Sequence, residues 1–242
     1  MHSKGASRQN YVGPRRELTS KAEIYQAQGN LREAARLLSE INLETASDAF
    51  VTKVDQLRLE RNYGQAIRLL EARLAQFDYI DQDKKHRDRI RLALIQRLAG
   101  DTAGAKAKAE QLRNALEQPY RDQSANAQPT LAYPAGRIAR IYALLGEKDL
   151  AIKTAERAVM LMPRAMDPIY GPRHEENLAL ILTMFGENSR AISAFAQLLQ
   201  THYDSSWYGG PGITPAVLRL DPLWDPLRGD PAFQKLCEEK QK

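Results

Sequence analysis

A five-point pattern recurs along the chain and restricts its fold more than any other feature. It reads small residue, bulky residue three positions on, glycine or polar residue four further, variable residue two further, and alanine three beyond that. The first copy is Ala22, Tyr25, Gly29, Leu31 and Ala34; the second, Val54, Leu57, Arg61, Tyr63 and Ala66, keeps the spacing without the glycine. Three more follow: Ala93, Gln96, Gly100, Thr102, Ala105; then Ala139, Tyr142, Gly146, Lys148, Ala151; then Ala179, Leu182, Gly186, Asn188, Ala191. A repeat of this kind reads as two helices joined by a tight turn, stacked copy upon copy. The small residue and the alanine suit helix crossings, where only a short side chain lets backbones approach, the bulky positions fill the gaps, and glycine turns the chain between the helices.

The five alanines are 32, 39, 46 and 40 residues apart, so most gaps hold insertions. The largest is Glu117–Tyr133, polar and containing Pro119 and Pro129, and the next is Met162–Arg173. In a stack of repeats such insertions emerge as loops on one face. The pattern predicts helix pairs near 16–28 and 31–41, 48–61 and 63–77, 86–99 and 102–116, 134–145 and 148–161, and 174–185 and 188–202, with no strand. From Trp207 to Pro231 the chain is punctuated by glycine and proline, which predicts extended segments and short turns. Asp230 then reads as an N-cap with Pro231 in the first helical position, opening a last helix through Cys237.

With 43% hydrophobic and 27% charged residues, the 242-residue chain has the material for a continuous core. It contains no run of eighteen apolar residues, so nothing in it spans a bilayer by itself. The start, Met1 to Asn10, lacks the apolar stretch of a secretory signal and reads as a tag scar or a cut inside a longer protein. Residues 1–14 are thus expected to be disordered or tag-derived, 15–203 to form the helical-repeat domain, and 204–242 to form a capping tail with a final helix. The net charge of +5 favours an acidic partner. The basic residues are spread along the chain without the aromatic-interleaved block of a nucleic-acid site, so no nucleic acid is expected. The chain reads as cytoplasmic, or periplasmic if a membrane helix precedes it in a longer protein.

Catalytic and nucleotide motifs are missing: there is no Walker A, G-x-G-x-x-G, G-x-S-x-G, HExxH or C-x-x-C sequence. Gly209-Gly210-Pro211-Gly212 lacks the lysine and preceding strand of a phosphate loop and reads as a plain turn. His2, His86, His174 and His202 are scattered, without a second ligand at metal spacing, and His174-Glu175-Glu176 is read as helix-start electrostatics. Lone Cys237 forms no disulfide within the chain and has no catalytic setting. No cofactor, metal or enzymatic activity is expected.

The repeated positions resemble the tetratricopeptide (TPR) consensus, whose small residue, Tyr, Ala, Phe and closing Pro recur about every 34 residues. The likeness is sharpest in the fourth copy, which continues through Ala155 and Ala158 to Pro163. It implies an all-α TPR-type solenoid, a right-handed superhelix of about five helix pairs with a proline-rich tail and a C-terminal capping helix. The last third, from Arg157 through the run Leu220-Asp221-Pro222-Leu223-Trp224-Asp225-Pro226-Leu227-Arg228 and Phe233, also resembles the C-terminal TPR region of multidomain bacterial signalling proteins. There such a region follows a kinase, adenylate cyclase or winged-helix domain, which implies a sensing or scaffolding module and carries no chemistry over. Leu220, Leu223, Trp224, Leu227, Phe233 and Leu236 are expected to plug the exposed apolar face of the last helix pair.

In TPR stacks the first helices of the pairs line a concave groove, and outward positions on them touch ligand. The peptide-binding candidates on this frame are Arg58, Arg87, Arg97, Tyr133, Arg140 and Thr183, with Arg58, Arg97 and Arg140 forming an arginine stripe suited to a carboxylate-bearing peptide. Glu23, Gln26, Asp55, Ile90, Leu94, Glu176 and Leu180 share that frame. The family's carboxylate clamps place Lys and Asn where this chain has Ile90 and Leu94, or Gly136 and Arg140, which speaks against heat-shock chaperone tails as ligands. The expected function is a non-catalytic scaffold or sensor that binds a protein or peptide. The alternatives are an assembly or secretion chaperone and, less favoured, a helical-repeat enzyme with its site in the Glu117–Tyr133 loop.

Overall fold

Four glycines, Gly29, Gly100, Gly146 and Gly186, adopt positive φ at the turns between paired helices, and Arg61 takes the same left-handed conformation (φ 58°) where the second copy lacks its glycine. These five turns set the architecture. The computed structural model describes residues 14–41, 47–124, 128–205 and 212–238. Among them the protein is all-helical, without a β-strand. The helices are α1 (Pro14–Ala27), α2 (Leu31–Ser39), α3 (Ser47–Leu59), α4 (Tyr63–Gln76), α5 (Gln82–Leu98), α6 (Thr102–Ser124), α7 (Ala132–Leu145), α8 (Lys148–Leu161), α9 (Gly171–Met184), α10 (Asn188–Leu198), α11 (Pro215–Leu220) and α12 (Pro231–Glu238). Short 3₁₀ turns lie at Pro129–Leu131 and Pro222–Leu227.

From α1 to α10 each helix packs on the next, and odd-numbered helices also touch one another, α1 on α3, α5 on α7 and α7 on α9. Ala34, Ala66, Ala105, Ala151 and Ala191 are all buried, as are Ala22, Val54, Ala93, Ala139 and Ala179 on the opposing helices. A short side chain at each crossing lets the backbones approach, so the burial follows from the residue type.

Three local features depart from the sequence expectation. First, α6 does not stop near residue 116 but runs through Pro119 to Ser124. Proline removes one helical hydrogen bond. The extra turns are held by Arg121–Glu117 and Gln118–Asp122 pairs, by Tyr142 Oη donating to Glu117 Oε1 at 2.7 Å, and by Tyr120 packing on the core. Second, the proline-rich tail is partly helical: Pro215 and Pro222 each occupy a first turn, where no amide donor is needed, behind the side-chain caps Thr214 and Asp221. Third, the tail does more than cover the last pair. Trp224 packs edge-on to Phe195 of α10 (4.8 Å between ring centroids), and Ile213, Leu218, Leu227 and Phe233 join the same core. Yet Thr214 Oγ1 donates to Ala27 O at the end of α1 (2.6 Å), and a Cβ on Gly29 would lie 3.2 Å from that of Ala216. One short segment thus bridges the first two helix pairs and the last.

The expected N-terminal segment, apart from its last residue, and the Gly209-Gly210-Pro211 turn lie outside the described residues. The final helix begins as expected, Asp230 Oδ1 accepting from the Ala232 amide at 2.8 Å.

Candidate functional site

The odd-numbered helices turn polar side chains toward one another, and these form two clusters. The first joins α3 to the tail. Arg58 donates to Asp55 Oδ1 (2.9 Å) and to Asp221 Oδ2 (3.0 Å), and all three side chains are fully buried. Asp55 sits three residues before Arg58, the spacing that stacks two side chains on one helical face. Burial pushes the Asp55 carboxyl above its ordinary range, and Arg58 and Arg91 pull it back. Nearby, Arg61 clasps Asp225 with two bonds (2.6 and 2.8 Å) at the protein surface.

A bridge to α5 follows. Arg91 approaches Asp55 (3.9 Å) and donates to Asp88 (3.3 Å), whose other oxygen accepts from Arg73 (2.9 Å) and from Tyr79 Oη (2.7 Å). Burial, then the bond to Asp88, pushes the Tyr79 phenol up to about 12. The Arg73 guanidinium lies over the Phe50 ring (4.2 Å) and the Phe77 ring (4.6 Å), which replaces part of the water it loses.

The second cluster joins α5, α7 and α9. Tyr133, Arg137 and Arg140 follow one another at helical spacing on α7, and Arg87 and Arg91 on α5 lie near enough for their charges to act on Arg140. Arg137 donates to Asp83 at the start of α5 (2.6 Å). Arg140 donates to Asn177 Oδ1 on α9. Arg140 as a whole residue is half-buried. Burial is the main cause that pushes this guanidinium down to about 9; Glu176 opposes the shift, and the like charges of Arg91, Arg137 and Arg87 reinforce it. His174 is buried beside Tyr133 (ring centroids 5.2 Å, edge-on), and burial, with Arg140 and Arg173 nearby, pushes the imidazole down to about 4. It is therefore neutral at pH 7. Glu176 accepts from Ser205 Oγ (2.7 Å).

This arrangement corrects part of the groove expected from sequence. Arg58 is buried and spent on Asp55 and Asp221, so it meets no ligand and the Arg58–Arg97–Arg140 stripe does not form. Thr183 is buried, and its hydroxyl donates to Ala179 O (2.8 Å) inside its own helix. Gln26, Asp55, Ile90, Leu94, Glu176 and Leu180 are buried too. Of the remaining candidates, Arg87 and Tyr133 are exposed, Arg140 belongs to the second cluster, and Arg97 lies half-buried in the last turn of α5. Ten residues separate it from Arg87, about 15 Å along the axis.

Counting from the alanine frame missed Arg91, Arg137 and Asn177. The signal for the first two was present as four-residue steps, Arg87 to Arg91 and Tyr133 to Arg137, which mark one stripe on each helix. His174 was read as belonging to a helix start, and it does lie there, but turned inward.

Among the described residues no cluster of three His, Cys, Asp or Glu side chains could hold a metal ion, and no helix is long and apolar enough to cross a membrane. Cys237 is buried, and burial raises its thiol pKa. No protein-family model matches the chain, and no curated protein matches it.

Proposed function

We propose that this chain is a TPR-type helical-repeat protein acting as a non-catalytic scaffold or sensor module, of the kind attached to bacterial signalling proteins, and that it holds a protein or peptide on the inner face of its odd-numbered helices. Two features support the repeat assignment: small residues buried at every crossing, and a left-handed turn between the helices of every pair. The observation that carries the binding assignment is the second cluster. Four guanidiniums gather there: Arg137 is paired with Asp83 and Arg91 with Asp88, Arg140 donates to Asn177, and Arg87 is exposed, the like charges of the other three all reaching Arg140. A fold that only needed stability would gain little from collecting like charges, because their repulsion and desolvation both cost free energy. A partner's carboxylates offset both costs.

The test is to capture partners from the native host with the wild-type chain and with Arg87→Glu plus Arg137→Glu, identifying them by mass spectrometry. Arg87 is exposed, whereas Arg137 is largely buried and loses its pair with Asp83 in the variant, so capture is repeated with the exposed single variant Arg87→Glu and helical content is compared by circular dichroism. Loss of a specific partner in the variants supports binding on this face, and equal capture by all three chains rejects it.

A further inference from the structure

The tail is held on its two sides by different chemistry. Toward α9 and α10 the contacts are apolar: Trp224 lies edge-on to Phe195 (4.8 Å between ring centroids), Phe233 meets the same ring (6.1 Å), and Leu218, Leu223 and Leu227 belong to the core that runs from α5 to the last helix. Toward α1 and α3 they are polar. Asp221 pairs with Arg58 (3.0 Å), Asp225 with Arg61 (2.6 Å), and Thr214 Oγ1 donates to Ala27 O (2.6 Å), beside a close approach of Ala216 and Leu220 to the Gly29 turn. Among the described residues, no apolar side chain of the tail joins the cores of the first two helix pairs. Those cores are separate, one built from α1, α2 and Ala49, the other from α3, α4 and α5. The seam is α5, which gives Leu92 and Ile95 to the second core and Ile90, Ala93 and Leu94 to the main one.

Both sides of the polar contact keep a partner when it parts. Arg58 retains Asp55 on its own helix (2.9 Å), Asp225 retains Arg228 within the tail (2.6 Å), and Asp221 still accepts from the Leu223 amide (3.0 Å). Breaking a buried ion pair is costly when it strands a charge in the interior. Here separation lets water reach Asp221 and leaves the Arg58 guanidinium paired. The apolar side has no such relief, because parting it would expose Trp224, Leu227 and Phe233, all buried, to water. Sub-global opening follows the boundaries between cooperative units, and the boundary here lies between the tail and the first two pairs.

We propose that the tail is a latch: it stays fused to α9 and α10 and releases α1 to α4, which swing away about α5 as one arm when Asp221 and Asp225 part from Arg58 and Arg61. The closed form shuts the side of α3 that carries Arg58, and the open form uncovers it. Salt favours opening, because the Arg61–Asp225 pair lies at the surface and is screened. The latch is independent of which partner the protein holds.

Spin-label distances measured by pulsed electron resonance in the full chain test it, in a Cys237→Ala background that removes the native thiol. Ser39→Cys on α2 with Ser193→Cys on α10 reports the arm, and Ser193→Cys with Lys235→Cys on α12 reports the tail; all three positions are exposed. The latch variants are Asp221→Asn, which keeps the oxygen that accepts from the Leu223 amide, and Asp225→Asn at the surface pair. The expected result is a longer Ser39–Ser193 distance whose population is at least threefold larger in each variant than with the latch intact, and larger again at high salt. The Ser193–Lys235 distance and the circular dichroism spectrum stay unchanged. A Ser39–Ser193 distance that does not respond in either variant overturns the inference. So does a Ser193–Lys235 distance that lengthens with it, since the tail would then be leaving α10, or a loss of helical content, since the arm would then be unfolding and not swinging.

Discussion

Arg58 and Arg61 lie three residues apart and both hold an aspartate of the tail, yet they are energetically different. Replacing Arg58 by methionine leaves Asp55 and Asp221 buried without their counter-charge, a loss expected to cost about 3–5 kcal/mol in a denaturant titration. Arg61 carries both a left-handed backbone and an exposed ion pair. Arg61→Gly relieves about 1 kcal/mol of backbone strain and gives up about 0.2–1 kcal/mol of surface pairing, so the same titration should show a net change near zero. His174 gives a pH signature. Its folded pKa of about 4 lies below the ordinary 6.5, so the unfolded chain binds the proton first. The stability this neutral ring contributes is full above pH 6.5 and is lost as pH falls toward 4, by up to about 3 kcal/mol. Midpoints measured across that window should fall more steeply for wild type than for His174→Gln. Little of this was readable from sequence. The i,i+3 pair Asp55–Arg58 was visible, but whether its charges face water or another element is decided by partners far along the chain.

At the level of helices the spacing of small residues was enough. Apart from the C-terminal end of α6, the expected pairs coincide with α1 to α10 to within a few residues, because each alanine crossing fixes where two helices meet and each tight turn fixes where the chain reverses. Ala151 illustrates the constraint: it is fully buried in the fourth pair, and Ala151→Leu should overpack it and cost about 1–3 kcal/mol, seen as a lowered thermal midpoint with unchanged helical content just below it. The misread elements were those whose local signal opposes their neighbours. Pro119 argues for a helix end, and the contacts of Glu117 and Tyr120 with α7 and the core, with the Arg121–Glu117 and Gln118–Asp122 pairs, carry α6 past it. Pro215 and Pro222 argue for extended chain, but each sits in a first turn behind a capping side chain, where proline suits a helix.

On the scale of the whole molecule the tail decides what the inner face can do. By joining α1 and α3 to α9 and α10 it covers the region of Arg58, while Arg87 on α5 stays exposed. Leu223, Trp224, Leu227, Phe233 and Leu236 were legible as a plug for the last pair, whereas Leu220, expected to join them, lies beside Gly29 at the first pair. The tail's link to the first two pairs was not legible, since an aspartate reaching an arginine 163 positions away leaves no periodic trace. The most direct test is native-state hydrogen exchange, read by mass spectrometry, on wild type and Trp224→Ala. Trp224 packs on Phe195 of α10. If the tail ties the two ends together, loosening it there should raise exchange in α1 and α3 as well as in α9 and α10. Increased exchange confined to α9, α10 and the tail, with α1 and α3 unchanged, would contradict the bridge and the division of the inner face that follows from it.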